Sequence, residues 1–310
     1  MIPRPTPERF RLRRTMMFLS AQKPGLIKDA YIYGADSLIL DLEDAVAENQ
    51  KDAARFSLYH ALTTVDYGDA EVLVRINGLD TPHWREDVRV AVAAGADGIR
   101  IAKCESAADI RQVEHAVEQA EAEFGAEPGR TLLMAALESP KGVLNSYEIC
   151  CASSRMLGIA LSGSDFRKCM QVSSTRDGIE MAAARGHMVL TARAAGVQCF
   201  DTVFTDLDDM EGFRREVSDN HRMGFDGKSV INPKQIPVVH EIFAPTEAEI
   251  AAAEKIVRAV QEQAVQGVGV FTVDGKMIDI AFLPAAARRL SGAFSFNALA
   301  KACGIYKGAL

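Results

Sequence analysis

An excess of positive charge, Cys-x-x-Cys pairs and long apolar runs are all missing from this 310-residue chain. Its 35 Lys and Arg are outnumbered by 42 Asp and Glu, and a net charge of -7 leaves no electrostatic footprint for nucleic acid or an anionic membrane. The six cysteines, Cys104, Cys150, Cys151, Cys169, Cys199 and Cys303, show no Cys-x-x-Cys spacing and lie mostly in apolar stretches. That pattern argues against zinc sites and a disulfide framework and for a reduced, cytoplasmic setting. No run approaches the ~18 apolar residues of a membrane span. The basic start MIPRPTPERFRLRRT leads into neither the hydrophobic core nor the small-residue cleavage site of a signal peptide. Nucleotide motifs are incomplete: GFDGKS imitates the end of a phosphate-binding loop, but Arg222 stands where the first glycine is needed, and Gly267-x-Gly269 lacks a third glycine at Thr272. Small-molecule chemistry remains.

What is present is ordinary globular composition, 48% hydrophobic and 25% charged, in a repeating pattern. Short apolar runs alternate with longer amphipathic stretches, as in βα units around a parallel sheet. Eight runs begin near Arg14, Ser37, Glu71, Gly98, Thr131, Met156, Cys199 and Lys228. Between them lie helical patterns such as 107–124, where Ile110, Val113 and Val117 recur on one face, and 177–196, which closes on a glycine. Glycines at 34, 95 and 196 each precede a strand, as helix stops should. Eight such units predict a (β/α)8 TIM barrel over residues 1–245, with an open doubly wound sheet as the rival.

Residues 246–310 read as a C-terminal helical arm or lid, too small for a core of its own. Thr246 is a fitting N-cap with Glu249 three residues on. Residues 270–273 read as a short extended piece turning at Asp274-Gly275, and 276–290 as one more helix. The last twenty residues carry no signal.

The chain is organised around 131–142, TLLMAALESPKG. A charge-free apolar run breaks at Glu138, and Ser139-Pro140 opens a helix, so a carboxylate sits where a buried strand ends, the edge at which parallel barrels do chemistry. Taken alone, Glu138 reads equally well as a helix cap or a solvated charge. Other strand ends are polar in the same way: Asp41, Glu43 and Asp44, Arg75, Lys103, Asp165, Asp206, and Lys228 with Asn232. Parallel strands would bring all of these to one face. Glu138 and Asp165 would supply two hard oxygen ligands with positions left open, the usual way of holding Mg²⁺ beside an oxygen-rich substrate. Arg75 would hold a carboxylate with its planar fork. Asp41, Glu43 and Asp44 would support the metal from behind, or cap the following helix.

The segment RTMMFLSAQKPGLIKDAYIYGADSLILDLEDAV resembles the start of the citrate lyase β-subunit family, within the HpcH/HpaI aldolase-like superfamily. ALESPKG, FDTVFTD, GFDGKSVINPKQI and VDGKMID continue the likeness in order, from about residue 11 to 290. The resemblance implies a Mg²⁺-dependent lyase, with Mn²⁺ as a substitute, that cleaves a carbon–carbon bond in a 3-hydroxyacyl thioester. In the citrate lyase member, a citryl thioester on CoA or an acyl-carrier protein gives oxaloacetate and an acetyl thioester. By motif position Glu138 and Asp165 match the family's metal ligands, and Arg75 and Glu138 its substrate contacts. Asp279 matches an acidic residue that in related lyases reaches a neighbouring subunit's site. Acyl-carrier and transferase subunits, and a homo-oligomer, trimeric or hexameric, are the implied partners.

The sequence departs from that pattern at Ser164 in SGSDF, where relatives often carry a second acidic residue, at Ile280-Ala281 after KMID, where many have proline, and over 171–176. These departures leave a stand-alone malyl- or citramalyl-CoA lyase open, and also a non-catalytic carrier-binding subunit. A Schiff-base aldolase would need Lys103 with a lowered pKa, against its charged neighbours Arg100 and Glu105.

Overall fold

The computed structural model describes residues 6–265, 270–273 and 275–279. Each apolar run forms a strand that starts within a residue of its expected place: β1 Thr15–Ser20, β2 Ser37–Asp41, β3 Glu71–Ile76, β4 Gly98–Ile101, β5 Leu132–Leu137, β6 Met156–Leu161, β7 Gln198–Asp201 and β8 Gly227–Val230. Neighbouring strands are parallel throughout, and β8 returns to pair with β1, so the sheet closes into a barrel. With helices between its strands this is the (β/α)8 fold, and closure rules out the open sheet.

The runs are continuous because both faces of the strands are covered. Every residue of β2, β3, β5 and β6 is buried. Met16, Ile39, Leu73, Met134, Leu157 and Phe200 fill the interior, with Phe18 packed against them. At the amino ends of the strands, Arg13 donates to Glu71 Oε1 and Oε2 at 2.6 and 2.7 Å, and Ser37 adds a hydroxyl to the same carboxylate. That end is therefore plugged by an ion pair, and chemistry is left to the other.

The helix Ala107–Phe124 covers the amphipathic stretch and opens with a capping box between Ser106 and Asp109. The helix Ile179–Ala195 stops at Gly196, whose φ of +68° only glycine adopts without strain. Gly227 serves a different need: a Cβ there would lie 2.0 Å from the Arg13 carbonyl oxygen, so β8 reaches β1 only without a side chain.

The chain divides into two compact units between Glu241 and Ile242. In the second, Thr246 and Glu249 cap each other's backbone at the start of the helix Glu247–Val265. β9 Val270–Val273 and β10 Lys276–Asp279 pair antiparallel. This corrects the helix expected from Lys276. Gly275, at φ +77°, takes the left-handed conformation of a tight hairpin turn, and pairing with β9 outweighs the local helical preference of KMID. The remainder of that expected helix and the last twenty residues lie outside the described residues. Among the described residues no helix is long and apolar enough to cross a membrane.

Candidate active site

The carboxyl ends of β2 and β3 build the first half of the site. Asp41 and Arg75 are in register across the two strands. The Nε and Nη2 of Arg75 donate to the two Asp41 oxygens at 2.7 and 2.6 Å, and its Nη1 lies 2.8 Å from Glu43 Oε2. Burial alone would push the Asp41 carboxyl up, but Arg75 and the Glu43 and Ala45 amides outweigh it and hold the carboxyl below its ordinary range. Burial likewise opposes the charge of Arg75, and Asp41 and Glu43 hold its pKa above the ordinary value. The fork expected to grip a substrate thus has its Nε edge filled by Asp41. Of five guanidinium N–H groups, two remain for a ligand. Asp41 and Glu43 set the arginine in place, while Asp44 is exposed at the rim.

Lys103, at the end of β4, has its Nζ 2.8 Å from Glu43 Oε1 and 3.9 Å from Asp44. The hydrogen bond to Glu43 is the main cause that pushes its pKa up to about 12. A Schiff-base lysine needs the opposite shift, so the aldolase alternative loses its nucleophile.

Glu138 follows β5 directly and is neither a cap nor a solvated charge. Ser139 caps the helix Pro140–Leu144 instead, accepting from the Gly142 amide at 3.2 Å. Glu138 is 3% exposed, and neither of its carboxylate oxygens has a partner in good hydrogen-bonding geometry among the described residues. Burial, reinforced by the Glu43 carboxylate and opposed by Arg75 and the nearby Lys103 backbone, raises its pKa to about 7. Buried polar atoms in folded proteins are nearly always satisfied, so two orphaned oxygens at the catalytic end of a barrel mark a place for a ligand.

A cavity of about 400 Å³ opens here, walled among others by Asp41, Arg75, Arg100, Ser164 and Asp165; Glu138 is not part of that wall. Asp165 lies in the first turn of the helix Gly163–Met170 and is half-buried. No group of three His, Cys, Asp or Glu side chains converges as a ready cage for a metal among the described residues. Two carboxylates are nevertheless what a magnesium site needs, because that ion keeps waters and takes the rest of its shell from the substrate. The orphaned Glu138 oxygens and Asp165, which has no hydrogen bond or ion pair among the described residues, fit that requirement.

Arg100 was not singled out by sequence reasoning. It lies in β4 opposite Arg75 and is 1% exposed, and its Nε and Nη1 have no partner among the described residues. The signal was a lone arginine inside the apolar run GIRIA. Three other strand-end residues do not join the site. Lys228 is buried on the outer side of the barrel, donating to Asp201 and to Glu216 of the helix Met210–Met223, which corrects its expected place at the mouth. The alternation of β8 decides this, since its inward neighbours leave Lys228 facing the helix layer. Asp206 is exposed and accepts from the Asp208 and Asp209 amides, and Asn232 accepts from Lys234. Asp279 ends β10 in the second unit.

The family profile described as HpcH/HpaI aldolase/citrate lyase matches residues 14–233. The chain is 51% identical over 269 residues to the citrate lyase subunit beta of Leuconostoc mesenteroides subsp. cremoris, covering 87% of this chain and 89% of that protein. It is 36% identical over 266 residues to a (3S)-malyl-CoA thioesterase of Cereibacter sphaeroides, covering 86% and 89%. Among solved structures, the CitE protein of Mycobacterium tuberculosis in complex with magnesium, acetoacetate and coenzyme A superposes with a TM-score of 0.72 at 29% identity, covering 90% of this chain and 97% of that one.

Proposed function

Since the chain belongs to the HpcH/HpaI aldolase/citrate lyase family, we propose that this lyase cleaves a citryl thioester, carried on CoA or on an acyl-carrier protein, into oxaloacetate and an acetyl thioester. The observation that carries the reading is Glu138: a buried carboxylate whose two oxygens have no hydrogen-bond partner among the described residues, close to Arg75 and Arg100 of a cavity whose wall also includes the Asp165 carboxylate. Glu138 and Asp165 are the residues that would hold Mg²⁺. Once bound, the ion would supply Lewis acidity toward the substrate hydroxyl and the carbonyl that replaces it.

The chain's own groups account for the rest. In the bond-breaking step the hydroxyl loses its proton and its carbon–oxygen bond becomes the keto group of oxaloacetate. The electron pair of the broken carbon–carbon bond moves onto the acetyl carbon as a thioester enolate, which a returning proton quenches. Arg75, fixed by Asp41 and Glu43, turns its two remaining N–H groups to a substrate carboxylate, and such a pre-oriented donor costs little reorganisation during reaction. Asp279, contributed by a neighbouring subunit, is the carboxylate proposed to exchange the proton and, with its arm, to keep water from the enolate.

The thioesterase relative supplies a specific rival, hydrolysis of the thioester with the carbon skeleton intact. Products separate the two. Of citryl-, malyl- and citramalyl-CoA, the first should be cleaved in preference to the others, giving oxaloacetate and acetyl-CoA with no free thiol. Release of CoA thiol without a keto acid would overturn the lyase reading.

A further inference from the structure

The cations at the barrel mouth are not equally satisfied. Arg75 is paired with Asp41 and Glu43, and Lys103 with Glu43 and Asp44. Arg100, buried and lining the same cavity, makes no ion pair or hydrogen bond among the described residues. A buried guanidinium without an anion is strongly disfavoured, and most of that cost is recovered only when a carboxylate or phosphate meets it in good geometry. Burial and the neighbouring Arg75 outweigh the attraction of the Glu138, Asp41 and Glu43 carboxylates, none of which hydrogen-bonds to Arg100 among the described residues. Its carbon Cζ lies 4.9 Å from the Phe18 ring centroid, but Arg75 sits over the same ring at 5.1 Å, so one aromatic ring is shared by two cations. Arg75 is also its direct register partner on the next strand, a like charge where an opposite one would stabilise. Burial and that repulsion lower its pKa to about 10, which still leaves it charged at neutral pH.

We propose that Arg100 binds a second carboxylate of the substrate, the one that distinguishes a citryl thioester from thioesters carrying a single carboxylate, and so sets the specificity of the site. This rests on the lyase reading above. The chemistry divides the two arginines. Every candidate thioester carries a carboxylate on the hydroxyl-bearing carbon, and the two N–H groups that Arg75 keeps beside its protein partners suffice for that one. A citryl group differs from a citramalyl group only in bearing a carboxymethyl where the latter has a methyl. The additional full negative charge calls for an additional full positive one, with N–H groups still unfilled, and Arg100 supplies both.

The test compares kcat/KM on citryl-CoA and citramalyl-CoA, with Mg²⁺, for the wild-type chain, Arg100→Met and Arg100→Lys. Expected is a citryl-to-citramalyl ratio that falls about 100-fold in Arg100→Met, the usual consequence of losing one partner of a desolvated charge pair. Arg100→Lys should fall at least about tenfold, because an ammonium keeps the charge and loses the fork. The lysine variant keeps the test valid if the methionine variant fails to fold. A folded variant with an unchanged ratio would overturn the proposal. If the wild-type chain cleaves neither thioester, the lyase reading fails by itself, and calorimetric binding of oxaloacetate against pyruvate to the same proteins then decides on Arg100. A preference for oxaloacetate that disappears in the variants supports it; equal binding by wild type and variants contradicts it.

Discussion

At the scale of single residues, the site stores an unfavourable state that a ligand relieves. The Glu138 carboxyl is raised from 4.5 to about 7 chiefly by burial, so the folded metal-free protein holds this proton more tightly than the unfolded chain. Its contribution to stability is complete below about pH 4.5 and is lost as the pH rises through about 7, a change of at most about 3 kcal/mol. Glu138→Gln should remove this dependence: between pH 5 and 8 the melting temperature of the metal-free wild type should fall more than that of the variant. Cation binding must displace the same proton, so Mg²⁺ affinity measured by calorimetry should rise as the pH approaches 7 and level off above it. A flat affinity across that range would mean that Glu138 is not a ligand. Glu138 itself was readable from the sequence, because a charge-free strand that ends on a carboxylate delivers that carboxylate to the mouth of a parallel barrel. Arg100 was not. A strand buried on both faces carries no alternation to show which side an arginine occupies, and its neighbours Lys103 and Glu105 made it look like part of a solvated cluster.

At the scale of elements, helices and strands divide their buried charges in distinct ways. On the outer side of the barrel, Lys228 of β8 donates to Asp201, the Thr202 carbonyl and Glu216, and Arg185 bridges Asp201 and Glu216. These cations outweigh burial and hold the Asp201 carboxyl well below its ordinary range. Lys228→Met should therefore cost about 3–5 kcal/mol in urea unfolding, because it strands buried carboxylates, while leaving KM unaltered. A loss below about 1 kcal/mol, the worth of an exposed pair, would show the network to be dispensable. Gly227→Ala should be comparably harmful through its clash with the Arg13 backbone, seen as a lower yield of folded protein. The eight strands were legible because covered strands need uninterrupted apolar runs and helices need caps and stops. What the sequence left unreadable was the direction in which a polar residue at a strand end points. Lys228 shows this, as does Lys276, where pairing with β9 decided the conformation and no local preference announced it.

At the scale of the whole molecule, the carboxylates and arginines of the barrel belong to one compact unit and Asp279 to the other. The proposed role of Asp279 requires it to act in a neighbouring subunit's site, and subunit mixing tests that directly. Asp279→Asn should lower kcat at least about 100-fold with Mg²⁺ affinity retained. Mixing it with inactive Glu138→Gln should restore activity, since some interfaces then combine an intact Glu138 with an intact Asp279. If no activity returns after verified subunit exchange, Asp279 acts within its own chain or not at all.

The measurement closest to the central claim is the release of oxaloacetate from citryl-CoA by the purified chain, followed with Mg²⁺, with chelator, and with Glu138→Gln. Release should need the metal, stop on chelation, resume when Mg²⁺ is restored, and be absent in a folded Glu138→Gln variant. Oxaloacetate release that survives both the chelator and the substitution would contradict a metal-dependent lyase built on Glu138.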